Sequence, residues 1–157
     1  MKISLLFTGK TEAPWLKEGI QVYSKRLMRY IPFELIECPI PKKWASLPPQ
    51  QRMEKEGQLQ LERMRQHDLC ILLDEKGTAW DSEGLARFLE ERMNRSTKSL
   101  LMVVGGPWGF SPEVRKAAHM KWSLSPMTFS HQMIRLFLVE QLYRAFAIIR
   151  NEPYHNP

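Results

Sequence analysis

The side chains able to move a proton or hold an anion gather towards the C-terminus. Beyond Trp108 lie three of the four histidines, His119, His131 and His155, with Arg135, Arg144, Arg150, Tyr143 and Tyr154. His131 falls where a polar loop, Ser125-Pro126-Met127-Thr128-Phe129-Ser130, runs into an apolar helix. From there an imidazole can point into a cleft at the helix N-terminus, although a lone histidine equally serves in packing. Arg144 stands one helical turn after Glu140 within an apolar segment. It is either that residue's ion-pair partner or a group kept for an interface or a site, since arginine is rarely buried unpaired. Tyr154 beside His155 is either a frayed end or a pair suited to base stacking or an active site. His119, between Ala118 and Met120, reads as a surface or packing residue. No serine–histidine–acid or paired-carboxylate arrangement is recognisable by spacing, and the cysteines and histidines lack zinc-like spacing, so no metal is expected.

These residues follow a second feature, the run Val103-Val104-Gly105-Gly106-Pro107-Trp108-Gly109-Phe110-Ser111. Leu100 to Val104 is apolar enough for a strand buried on both faces, which fits a parallel sheet. Gly105 and Gly106 let the backbone turn sharply and approach a ligand. Ser111-Pro112-Glu113 then reads as an N-cap, a first-turn proline and a first-turn acid. A strand that stops at glycines before a new helix is where open α/β sheets bind ligands. The spacing is not G-x-G-x-x-G, so a dinucleotide fingerprint is not supported.

The elements that must position these groups alternate along the chain. Strands are predicted over Lys2–Thr8, Phe33–Cys38, Leu69–Leu73, Leu100–Val104 and Lys121–Leu124. Between them lie helices over Ala13–Tyr30 and Gln50–Gln66, one capped by Asp81 or Ser82 and reaching about Asn94, and one over Ser111–Ala118, and a last helix runs from His131 to about Arg150. Asp74-Glu75-Lys76-Gly77 reads as the close of the third strand, and Gln50–Gln66, poor in large apolar residues, as solvent-facing. Prolines break the chain around Lys42, Lys43 and Trp44. This alternation predicts one α/β domain over 1–157 with a mainly parallel sheet flanked by helices. The last helix is apolar nearly all round, so more than one face must be covered; a central helix inside the monomer would do this, but for a last helix in a chain this short a symmetric homodimer is preferred.

Hydrophobic residues make up 43% of the 157, enough for one core, and no apolar run has the length of a membrane span. Cys38 and Cys70, alone inside apolar segments, are read as buried thiols of a reduced cytoplasmic protein without a signal peptide. The formal charge of +6 favours a polyanionic partner.

In order and spacing, the motifs resemble the ribosomal RNA large subunit methyltransferase H family, a minimal branch of the SPOUT methyltransferases. The resemblance spans nearly the whole chain: Gly9-Lys10, Lys55-Glu56-Gly57, Leu73-Asp74 with Gly77, Gly105-Gly106-x-x-Gly109, Leu124 to Gln132, Arg135, Glu140 to Ala145, and Tyr154-His155. Ser130 departs from it, standing where many members have proline. The resemblance implies a C-terminal trefoil knot, a homodimer, and S-adenosylmethionine as methyl donor. The donor would touch Leu73, Gly105, Gly106 and the loop Leu124, Ser125, Pro126, Met127, Thr128 and Phe129. It further implies methylation at N3 of a pseudouridine in large-subunit ribosomal RNA, on the assembled ribosome, with His131, Arg144 and Tyr154 around the base. Lys10, Lys25, Lys42 and Lys43 are candidates for phosphate contacts. A non-catalytic RNA- or ribosome-binding factor on the same fold is the alternative. A flavin- or nucleotide-binding domain is disfavoured, because Thr8-Gly9-Lys10-Thr11 is too short and glycine-poor for a phosphate loop.

Overall fold

The computed structural model describes residues 1–156; of the tail expected over 151–157, Pro157 lies outside the described residues. Five parallel strands form one sheet in the order β2-β1-β4-β3-β5, with β1 Lys2–Thr8, β2 Phe33–Cys38, β3 Leu69–Ala79, β4 Ser99–Val104 and β5 Met120–Ser123. The helices are α1 Pro14–Leu27, α2 Pro49–Met64, α3 Ser82–Asn94, α4 Pro112–Ala117 and α5 Met133–Ile149, and a short 3-10 turn, Lys42–Ser46, precedes α2. The central strands β1 and β4 are buried on both faces, which is why they read as unbroken apolar runs.

The two faces of the sheet are covered differently. On one, α1, α3 and α5 bury Ile20, Leu27, Leu85, Leu89, Leu138, Leu142 and Phe146 against Ile3, Leu5, Phe7 and Met102. On the other, α2 and α4 cover a smaller patch, with Met64 and Val114 against Leu6, Leu72, Leu101 and Val103.

Four expectations are corrected. The helix expected to face solvent, now α2, buries Glu56, Gly57, Gln60 and Met64. Its buried side is polar, and a hydrophobic stripe is the wrong signal for it. Gln60 Nε2 donates to Thr8 Oγ1 at 2.8 Å, and that hydroxyl donates to the Val104 carbonyl at 2.9 Å. Secondly, β3 does not close at Asp74–Gly77 but continues to Ala79, pairing with β5 before and after a register shift between Leu73 and Thr78. Gly77 permits this: a Cβ there would stand 2.6 Å from Lys121 C and Trp122 N. Thirdly, the all-round apolarity of α5 is met largely inside the chain, by α1 on one flank, α3 on the other and the sheet beneath. Fourthly, Cys70 is buried, its thiol pushed up to about 11 by desolvation, but Cys38 is only partly covered. Among the described residues no helix is long and apolar enough to cross a membrane.

Candidate functional site

β3, β4 and β5 run parallel, so the segments leaving their carboxyl ends meet at one edge of the sheet. There they enclose a cavity of about 530 Å³. β4 supplies its floor. After Val104 the chain turns through Gly105 and Gly106, the Gly109 amide donates to the Gly106 carbonyl at 3.1 Å, and Gly109 takes a φ of +79°. Side chains at the two strand-end glycines have no room. A Cβ on Gly105 would come within 3.2 Å of the Phe110 ring, and one on Gly106 would overlap the Glu56 carboxylate. Ser111 then caps α4 by accepting from the Val114 amide at 3.3 Å.

The loop after β5 forms the opposite wall. Ser123 Oγ donates to the Ser125 carbonyl at 2.9 Å, and Ser125 Oγ accepts from the Met127 amide at 3.0 Å. Thr128 Oγ1 donates to Glu75 Oε2 at 3.0 Å, joining this loop to the irregular stretch of β3, while the Phe129 ring packs on Phe137 with centroids 5.1 Å apart. Of the residues expected at a cofactor, Leu73, Gly105, Gly106, Leu124, Ser125, Met127, Thr128 and Phe129 line this cavity; Pro126 does not. His131 lines it too, from a turn that precedes α5 and not from the helix itself.

Burial and the nearby Arg135 guanidinium lower the His131 pKa from its ordinary value of 6.5, against a weaker pull from Glu12. The imidazole is therefore neutral near pH 7, the form that accepts a proton. Arg135 is fully buried beneath it. Its guanidinium donates to the carbonyls of His131 (2.9 Å), Gly9 (3.0 Å) and Thr8 (2.9 Å) and to Thr11 Oγ1 (3.0 Å), and lies over the Phe7 ring. Arg135 thus binds the end of β1 to the entry of α5 and fixes the backbone that carries His131.

Arg144 and Tyr154 form a different cluster. At about 1.5 Å per residue, Arg144 stands roughly 17 Å along α5 from the helix start. Its Nη2 and Nε donate to Glu140 Oε1 at 2.7 and 3.1 Å. The tail returns to meet it because α5 ends in a left-handed turn. Asn151 has φ +54°, its amide donates to the Ile148 carbonyl, and the Glu152 amide reaches the Ala147 carbonyl at 2.9 Å. Tyr154 then packs under the Arg144 guanidinium, 4.7 Å from ring centroid to Cζ, and donates to Glu140 Oε1 at 3.0 Å. Burial, Tyr23 and the Glu140 carboxylate all raise its pKa, so the phenol stays protonated. Within one chain the structure does not bring Arg144 and Tyr154 to the cavity that holds His131. Lys10, Lys25, Lys42 and Lys43 are all exposed.

Residues 1–155 match the family model described as predicted SPOUT methyltransferase. The chain is 49% identical over 156 residues to the ribosomal RNA large subunit methyltransferase H of Christiangramia forsetii, covering 99% of both chains. With the protein of the same name from Parabacteroides distasonis the identity is 50% over the same share of each. The chain belongs to the SPOUT methyltransferases, in the branch named for ribosomal RNA large subunit methyltransferase H. Among solved structures, a probable methyltransferase from Bordetella pertussis has the same fold at 11% identity, with a TM-score of 0.56 over 92% of this chain and 95% of that one.

Sequence reasoning missed several residues in the wall of this SPOUT cavity. Asp74, paired with Arg115, and Trp108 are the main ones. Burial alone would raise the Asp74 pKa, but the Lys76 amide and the Arg115 guanidinium hold it below the usual carboxylate range. An acid directly after a buried strand was a readable signal for Asp74. The Arg115 pairing was not, because it joins positions 41 residues apart. Among the described residues no three His, Cys, Asp or Glu side chains gather as a metal site.

Proposed function

We propose that this chain uses S-adenosylmethionine to methylate large-subunit ribosomal RNA, at N3 of a pseudouridine in the assembled ribosome, and that it works as a homodimer. The family and its near-50% identical relatives support the coarser part, methyl transfer to large-subunit ribosomal RNA. The observation that carries the donor assignment is the cavity at the carboxyl ends of β3, β4 and β5. Its volume suits a nucleoside-sized ligand. Gly105 and Gly106 leave bare backbone on one side, and Leu73, Leu124 and Phe129 offer apolar surface for an adenine. Bare backbone and apolar side chains of this kind suit the adenosyl part of the donor. When bound, it supplies an electrophilic methyl group.

The remaining chemistry falls to the protein. The imide N3–H must lose its proton as the new bond forms, and neutral His131 at the cavity wall is the group to hold the base or take that proton. A guanidinium beside the imide stabilises its developing negative charge, the role of Arg144, with Tyr154 fixing the guanidinium plane from below. Since one chain separates Arg144 and Tyr154 from His131, the reading requires both to come from the partner subunit. Support for a dimer comes from apolar side chains left open. Trp15 is 59% exposed and Val22 41%, flanking Gly19 on α1, and Phe137 on the neighbouring α5 is 39% exposed. A C-terminal knot, with the chain after β5 threaded beside the β4 turn, belongs to the same proposal, as does a cytoplasmic location.

The test is transfer of a labelled methyl group to ribosomes and, separately, to free large-subunit RNA, with the label located by nuclease mapping. Label at one pseudouridine, on ribosomes only, is expected. No label on either substrate, from a protein that still binds ribosomes, replaces the enzyme with a binding factor.

A further inference from the structure

Next to the methyl-donor cavity lies a second cleft, of about 400 Å³, which shares Lys76 and Arg115 with it. We propose that this cleft, between the bulged end of β3, the α4–β5 connection and β5, holds a backbone phosphate of the RNA strand whose target base enters the neighbouring cavity. The inference rests on the methyltransferase reading and adds to it a place for the substrate's backbone.

The cleft is built by the β3 irregularity. Pairing with β5 runs through Leu73–Trp122, breaks, and resumes at Thr78–Trp122, so residues 74 to 77 are extra length on one strand. The Lys76 amide donates to Asp74 Oδ1 at 3.0 Å, which turns the bulge, and side-chain-free Gly77 lets it lie against the Lys121 backbone. Two cations from separate strands, Lys76 and Lys121, thereby line one opening with Arg115. Arg115 is neutralised in part by Asp74, but neither lysine has an ion-pair partner among the described residues. No carboxylate lines the cleft. His119 adds a neutral donor: its Nδ1 accepts from the Cys70 amide at 3.0 Å, which leaves the proton on Nε2.

A second observation points to nucleic acid and not to a small anion. Arg115 also reaches the Gly106–Gly109 turn, its Nη2 lying 3.7 Å from where a Gly109 Cβ would be. That turn carries Trp108, 53% exposed at the rim of the donor cavity. Lysines without an ion-pair partner, in a cleft joined through Arg115 to the turn that carries an open indole, match unpaired RNA, which offers a phosphate to the first and a base to the second. A base stacked on Trp108 and a phosphate in the cleft would hold the nucleotides flanking the target at the cavity mouth.

The test compares Lys121→Ala, Lys121→Glu and Trp108→Ala for binding to a large-subunit RNA fragment across a salt series, together with KM for ribosomes and for S-adenosylmethionine. Lys121 lies outside the donor cavity. Lys121→Ala is expected to make the slope of log affinity against log salt shallower by about 0.7 to 0.9, the loss of one phosphate contact. Lys121→Glu weakens RNA binding further and raises KM for ribosomes, with KM for the donor and the thermal midpoint unchanged. Trp108→Ala lowers RNA affinity roughly tenfold with little change in salt slope. An unaltered slope and affinity in both Lys121 variants overturn the proposal. So does a rise in donor KM alone, which would assign the cleft to the anionic end of the donor. If wild-type protein binds RNA but transfers no methyl, the enzymatic reading fails while the salt slopes still decide the cleft. If it binds no RNA at all, both fall.

Discussion

Helix α5 carries one arginine in its first turn and another nine residues further on, and the two are held in opposite ways. Arg135 is fully buried, with four donor bonds to three carbonyls and one hydroxyl, all of them parts of the fold. Arg144 is a quarter exposed and leans on a single carboxylate oxygen of Glu140, with an aromatic ring beneath it. A guanidinium saturated by backbone positions other groups, whereas one tied to a single carboxylate keeps donors free for a ligand. The same residue type therefore serves architecture at the cavity end of α5 and, in the function proposed above, chemistry further along it.

Substitutions separate the two roles. The largest effect on stability is expected from Arg135→Ala, which strands three carbonyls and opens a void beneath His131. A loss of about 3–5 kcal/mol follows from comparable buried charged groups, read as a fall in denaturant midpoint. Arg135→Lys should recover little of it, because one ammonium cannot serve the four acceptors. Arg144→Ala should cost about 1–2 kcal/mol of stability, since the Arg144–Glu140 pair is partly buried, and leave donor affinity nearly intact. Turnover should fall at least about a hundredfold, the cost of removing one charge-stabilising donor. Equal turnover in wild type and Arg144→Ala would erase the contrast.

Closer to the cavity, Gly106→Ala should weaken donor binding and cost about 1–3 kcal/mol of stability, since the new methyl overlaps the Glu56 carboxylate. Shortening that neighbour, in Gly106→Ala with Glu56→Asp, should restore part of both. Additive losses in the double variant would show that the two positions do not press on each other. The smallest effect concerns pH. Burial and Arg135 hold the folded His131 pKa below the ordinary 6.5, so the unfolded chain protonates first as pH falls. His131 then costs stability from about 6.5 downwards until the folded imidazole also charges. The acid limb of kcat/KM should lie below 6.5 for the same reason, and a limb above it would remove His131 as proton acceptor.

The order of strands and helices was legible because β1, β3 and β4 are apolar runs closed by glycine or charge, and the glycine turn after β4 marked the cavity. The buried side of α2 was not, because Glu56 and Gln60 are polar: Gln60 is held by Thr8 on β1, and Glu56 accepts from Arg52 one turn earlier while lying against the bare backbone of Gly106. The β3 bulge was hidden because Asp74-Glu75-Lys76-Gly77 has turn composition, and its strand geometry depends on β5 nearly fifty residues later. His131, Arg144 and Tyr154 were picked out by residue type and by the family resemblance. Their division between two ends of one helix follows from its length, which no motif states.

The most direct test of the account is complementation in mixed dimers. Differently tagged His131→Ala and Arg144→Ala chains, each inactive alone, are co-expressed, and the mixed dimer is isolated and assayed for labelled methyl transfer to ribosomes. If each site combines the cavity of one chain with Arg144 and Tyr154 of the other, one of the two symmetric sites is intact and about half of wild-type turnover returns. A mixed dimer as inactive as its parents would contradict a site shared between subunits.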